Sequence, residues 1–114
     1  MTFTQQIRAD ASGLVIALSG EMDYTVSGAF EAAVHRLIAE RRPDVVRLDL
    51  AGLRLLDSTA VSVLVRLWRM ARRQQCLLRV VNPTGVVRQI LDVTGALAIV
   101  GTGQAAEQAA EQAG

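Results

Sequence analysis

Val45-Val46-Arg47-Leu48-Asp49-Leu50 runs through Ala51-Gly52-Leu53-Arg54 into Leu55-Leu56-Asp57-Ser58-Thr59-Ala60-Val61, and this passage decides the fold. Its first part is a short apolar run of strand character, read as a central and largely buried strand. From Ser58 to about Gln74 the period becomes helical, with Val61, Leu64, Val65, Trp68 and Ala71 on the apolar side. A strand that passes through a short loop into a helix is the repeating unit of a parallel sheet. Open α/β sheets place their functional sites at the carboxyl edge of the strands, which is where Asp57 and Ser58 fall.

The flanking segments extend this pattern. Upstream, Phe30, Val34, Leu37 and Ile38 lie on one helical face, with Thr25 or Ser27 as candidate caps and Pro43 as the stop. Before that helix, Phe3 to Arg8 is a weakly apolar strand and Leu14-Val15-Ile16-Ala17-Leu18 a compact one. The break at Ala11-Ser12-Gly13 joins them as an antiparallel pair. Downstream, Cys76-Leu77-Leu78-Arg79-Val80-Val81 reads as a strand closed by Asn82-Pro83. A short helix carrying Val87, Ile90 and Leu91 comes next, stopped by Thr94-Gly95, and Leu97-Ala98-Ile99-Val100 reads as a last short strand. The alternation predicts one small α/β domain over residues 1–101, with a mixed, mostly parallel sheet of four to five strands. Residues 102–114 are Ala, Gln, Glu and Gly with a single Thr and no large apolar side chain, read as either a peripheral helix or a frayed end.

Composition narrows the chemistry. The 114 residues suit a single domain. A hydrophobic content of 51% with 20% charged residues excludes intrinsic disorder, and 4% aromatics makes the core aliphatic. All 12 basic residues are arginine, so neither a Schiff-base lysine nor a P-loop lysine is available. The lone Cys76 excludes an internal disulfide and a cysteine-built zinc site, and the lone His35 excludes paired-histidine metal motifs. Cys76 is expected to be a buried small hydrophobe and His35 a surface residue. A formal net charge of +1, with no aromatics interleaved among the arginines, gives no field or platform for nucleic acid. No apolar run approaches the ~18 residues of a membrane span, and the first residues lack the features of a signal peptide. A cytoplasmic protein is therefore expected.

Asp57 is a good helix N-cap, its carboxylate accepting from the free amides of the first turn. Ser58 as a catalytic nucleophile would need a base within hydrogen-bond reach, and neither a triad nor the glycines of a nucleophile elbow can be assembled. Ser58 reads better as a substrate. At about 100° per residue, Ser58, Ser62, Arg66, Arg69 and Arg73 project within an arc of roughly 80°. Any amphipathic helix needs such a wet face, and this one begins with a hydroxyl and continues in arginines. Phosphorylation of Ser58 would add about −1.5 to −2 charges at a helix start, where backbone amides favour anions. A partner docked over the stripe would then meet a hydrated anion and lose affinity.

Leu56-Asp57-Ser58-Thr59-Ala60 strongly resembles the phosphorylation loop of STAS domains, the bacterial anti-sigma factor antagonist family. Leu18-Ser19-Gly20-Glu21-Met22-Asp23 resembles that family's Gly-Glu-x-Asp loop, and Val45 to Leu53 its strand leading to the site. Ile90-Leu91-Asp92-Val93-Thr94-Gly95-Ala96-Leu97 resembles its closing helix and turn. The likeness spans about residues 3 to 101 and implies a mixed sheet with helices mainly on one face. It implies that Ser58 is the serine phosphorylated by an anti-sigma factor kinase. Thr59 matches a second site used in some members, and Asp23 and Asp57 match the acidic neighbours. Ser62, Arg66 and Arg69 would extend the partner surface. It further implies a non-enzymatic switch without cofactor or metal. The unphosphorylated form captures the anti-sigma factor to free a sigma factor, and a metal-dependent serine phosphatase resets it; no membrane or nucleic-acid partner is implied, and a homodimer is left open. The position after Thr59, often Gly in the family, is Ala60, which favours helix and stiffens the loop. The proline frequent in the Tyr24–Gly28 loop is missing. STAS domains also serve as unphosphorylated structural subunits of lipid-transport ATPase complexes or stressosome-type assemblies and as tails of anion transporters, and nucleotide binding near the same loop is a third reading. Gly101-Thr102-Gly103-Gln104-Ala105-Ala106 matches a dinucleotide fingerprint, but too little chain remains after it for the second strand and ribose-binding acid it needs.

Overall fold

The computed structural model describes residues 2–101. The elements run β1 (Thr4–Asp10), β2 (Gly13–Met22), α1 (Tyr24–Arg41), β3 (Val45–Leu56), α2 (Ser58–Arg73), β4 (Leu77–Val81), α3 (Gly85–Val93) and α4 (Ala96–Val100). The four strands form one sheet in the order β1-β2-β3-β4. β1 and β2 pair antiparallel across the turn at Ala11-Ser12, where the Asp10 carboxylate accepts from the Ser12 and Gly13 amides. The crossovers through α1 and α2 make β2–β3 and β3–β4 parallel. Strand alternation sends Leu14, Ile16, Leu18 and Met22, Val46, Leu48 and Leu50, and Leu78 and Val80 into one face. There they meet Phe30, Val34 and Ile38 of α1 and Ala60, Leu64, Leu67 and Ala71 of α2. β1, by contrast, is exposed at every residue.

Two expectations fail here. The segment Leu97–Val100 is not a strand: residues 96–100 form the helix α4, bounded by positive-φ Gly95 and Gly101, with Ala96 and Val100 buried one turn apart. The sheet accordingly has four strands. A four-residue apolar run carries no periodicity that separates strand from helix. The start of α1 is capped by neither Thr25 nor Ser27. Asp23 is the cap, and Ser27 is fully buried, its hydroxyl donating back to the Asp23 carbonyl at 2.6 Å.

β3 also runs further than its sequence suggests, continuing through Leu56 rather than ending near Leu50. Its pairing with β2 slips between Ala17 and Ser19 and again between Gly20 and Glu21, placing an extra residue in β3 each time. Each bulge reverses the side on which the next side chains emerge, so the buried residues change from every second to every third: Leu50, Leu53, Leu56. Gly20 sits at the second slip with φ +91°, and a Cβ there would lie 1.9 Å from the Thr2 carbonyl oxygen. No helix among the described residues is long and apolar enough to cross a membrane.

Candidate functional site

β2 and β3 run side by side to Met22 and Leu56, which are paired in register, and each then turns into a helix through an aspartate. Asp23 caps α1, accepting from the Thr25 amide at 2.9 Å and from the Thr25 hydroxyl. These bonds, the hydroxyl's first, hold its carboxyl below the usual aspartate range. Asp57 caps α2, one oxygen accepting from the Ala60 amide at 2.9 Å. Its other oxygen accepts from the Tyr24 amide at 2.9 Å, and its own amide donates to the Met22 carbonyl at 3.2 Å. The two helix starts are thus tied together by one side chain. Both helices start at this corner, directly after the paired ends of β2 and β3, and the positive ends of their dipoles favour negative charge there.

Ser58 is the first residue of α2 and, like Thr59, is exposed. Ser62, Arg66, Arg69 and Arg73 are exposed or half-exposed as well, so the polar stripe read from the sequence faces solvent along the length of the helix. The structure brings Asp23, Asp57, Ser58 and Thr59 to one corner of the molecule. Arg66 has a different setting. Its guanidinium grips Glu31 of α1 through two hydrogen bonds, at 2.8 and 2.9 Å, and so links α1 to α2. The bonded pair holds the Glu31 carboxyl below its usual range. Val65 and Trp68 are half-buried flank residues rather than core, the buried side being centred on Ala60, Leu64, Leu67 and Ala71.

Two residues carried too little signal in the sequence to be singled out. Tyr24 is 73% exposed beside the site and supplies the amide that Asp57 holds. Its one signal is an aromatic immediately after a helix-capping aspartate. Glu31 has none, because its partner lies 35 residues away. Cys76 is buried as expected, one residue before β4, and His35 is exposed. Of the dinucleotide-like run, residues beyond Gly101 lie outside the described ones, as does the segment 102–114. Among the described residues no cluster of histidine, cysteine and acidic side chains could hold a metal ion.

A sequence profile of the STAS domain matches residues 3–110. The chain belongs to the STAS domain family. No curated protein sequence matches this STAS domain. Among solved structures it resembles an anti-sigma factor antagonist from Mycobacterium paratuberculosis at 22% identity, covering 85% of this chain and 81% of that one with a TM-score of 0.75. It is similar to the phosphorylated form of the Bacillus cell fate determinant SpoIIAA at 18% identity, covering 99% and 100% with a TM-score of 0.67. A sulfate transporter family protein from Wolinella succinogenes also resembles it, at 15% identity, covering 76% and 70% with a TM-score of 0.66. At these identities the likeness shows a shared fold.

Proposed function

We propose that this STAS domain is an anti-sigma factor antagonist of the cytoplasm that binds an anti-sigma factor kinase when unphosphorylated and lets it go when Ser58 carries a phosphate. The observation that carries the reading is the placement of Ser58. Its hydroxyl stands exposed at the first residue of α2, next to a carboxylate that ties two helix starts together. Phosphorylation there adds about −1.5 to −2 charges where helix dipoles tolerate them, so the fold survives. A partner packed over Tyr24, Asp23, Ser58, Thr59 and the stripe through Ser62 and Arg69 would have to strip water from that phosphate without a cation to receive it, and affinity falls. The first arginine of the stripe, Arg66, is already engaged by Glu31. Two of the fold relatives bear names consistent with this role, as an anti-sigma factor antagonist and as a protein with a phosphorylated form. The protein acts as a switched binding surface rather than as an enzyme, and a metal-dependent serine phosphatase resets it.

The test pairs phosphotransfer with binding. Incubation with ATP and its cognate kinase-type anti-sigma factor should place one phosphate on Ser58, located by mass spectrometry. Ser58→Ala should bind that partner like wild type and take up no phosphate at this position. Ser58→Asp should bind at least about tenfold more weakly. Wild-type affinity in Ser58→Asp, or phosphate found only elsewhere, overturns the assignment.

A further inference from the structure

The two edges of the sheet differ. At the β4 edge the Val80 amide donates to the Gly101 carbonyl at 3.2 Å, and α4 lies against the strand. At the other edge β1 is exposed at all 7 of its residues. Its pairing with β2 is continuous from Thr4 to Asp10, without the slips that interrupt β2 and β3. Edge strands are ordinarily blunted by proline, lysine, a bulge or shortness, and β1 carries none of these. Its single large apolar side chain, Ile7, stands at the middle of the strand and is 49% exposed.

The ladder fixes how a second strand adds at this edge. The two-residue turn makes Asp10 and Gly13 a hydrogen-bonded pair. Alternation along an antiparallel ladder then turns the N–H and C=O groups of Gln5, Ile7 and Ala9 away from β2. A copy of β1 related by a two-fold axis perpendicular to the sheet must set one residue opposite itself on that axis. A slip by one residue would pair side chains that emerge on opposite faces. Centred on Arg8, the register sets arginine against arginine, a destabilising like-charge pair. Centred on Gln6, it leaves Ala9 and Asp10 beyond the end of the facing strand and sets Ile7 against Gln5. Centred on Ile7, it pairs every residue of the strand: Thr4 with Asp10, Gln5 with Ala9, Gln6 with Arg8, and Ile7 with itself. That register puts no like charges directly opposite, satisfies the outward main-chain groups reciprocally and joins the two half-exposed isoleucines.

We propose that two copies of this chain associate through their β1 edges, antiparallel and centred on Ile7, to form one continuous sheet across both molecules. Strands of this length pair over about 24 Å, a small contact, so the dimer is reversible and its population follows concentration. The axis leaves the α1 and α2 layers of both copies on the same face and turns the carboxyl ends of their β3 strands in opposite directions. The two Ser58 corners therefore stand at opposite ends of the assembly, each open to its own partner. The association does not depend on what modifies Ser58.

Sedimentation velocity of the full chain from about 10 µM to about 1 mM should show wild type passing from monomer to dimer. Ile7→Lys and Ile7→Glu each place like charges opposite one another in the pair and should stay monomeric where wild type is dimeric. An equimolar mixture of the two should regain the dimer, which a merely misfolded variant would not do. Single cysteines locate the register, with the buried Cys76 common to all variants. A hydrogen-bonded pair brings the two Ile7 Cα atoms to about 5.5 Å, within disulfide range, whereas the two Gln5 Cα atoms lie about 14 Å apart. Mild oxidation should cross-link Ile7→Cys to itself at least about fivefold faster than Gln5→Cys or Ala9→Cys alone. Gln5→Cys mixed with Ala9→Cys should cross-link to each other. Wild type that stays monomeric throughout overturns the proposal. So does a dimer that Ile7→Lys and Ile7→Glu leave intact, which would put the contact on another surface. Equal cross-linking of Gln5→Cys, Ile7→Cys and Ala9→Cys, the mark of random collision, overturns it as well.

Discussion

Replacing Asp57 by alanine removes two interactions at once, and their sum can be worked out from the structure. One carboxylate oxygen caps α2 through the Ala60 amide and the other holds the Tyr24 amide at the start of α1, both at 2.9 Å. Loss of an aspartate cap costs about 1 kcal/mol. Loss of the second, more exposed bond costs about 0.5–1 kcal/mol. Asp57→Ala should therefore destabilise by about 1.5–2 kcal/mol, which for a domain of this size lowers Tm by about 6–8 °C. Asp57→Asn separates the two contributions. Its single carbonyl oxygen still caps α2 but cannot also serve Tyr24 from a second oxygen, so it should lose only about 0.5–1 kcal/mol. Urea unfolding monitored by circular dichroism measures the series. Amide exchange resolved by NMR should show the Tyr24 amide speeding up in both variants and the Ala60 amide only in Asp57→Ala. An alanine variant within about 0.5 kcal/mol of wild type, or a Tyr24 amide unaffected in both, would refute the idea that this side chain joins the two helix starts.

The other expected outcomes concern single contacts. Glu31 has its folded pKa depressed by Arg66, so its contribution to stability is complete above its unfolded value near 4.5 and disappears as pH falls through the lower folded value. Thermal melts should show wild type exceeding Glu31→Gln at neutral pH, with the gap closing below pH 4.5; a gap that widens in acid contradicts the pairing. Phe30 is 1% exposed and meets Phe3 edge-on at 5.8 Å, so Phe30→Ala should cost about 3–5 kcal/mol in urea unfolding. Burial pushes the Cys76 thiol up, and it should stay unreactive toward a disulfide reagent in the native protein at pH 8, with a rate set by unfolding; immediate stoichiometric labelling would show the site open.

The helices α1, α2 and α3, the strands, the antiparallel start and the exposed hydroxyl after Asp57 were all legible in the chain. They depend on periods of two and three-to-four residues and on caps a few positions away. The features that stayed hidden depend on residues distant in sequence. The bulges that carry β3 on to Leu56 exist only against β2, and the choice of helix for residues 96–100 was invisible in a four-residue apolar run. The capture of Arg66 by Glu31 and of the Tyr24 amide by Asp57 likewise joins positions more than thirty residues apart. The amino-acid order alone settled which segments bury an apolar face and which serine opens a helix, since local patterning determines both. Only the packed molecule decided which charges are already spoken for, because an ion pair is set by where two backbones meet.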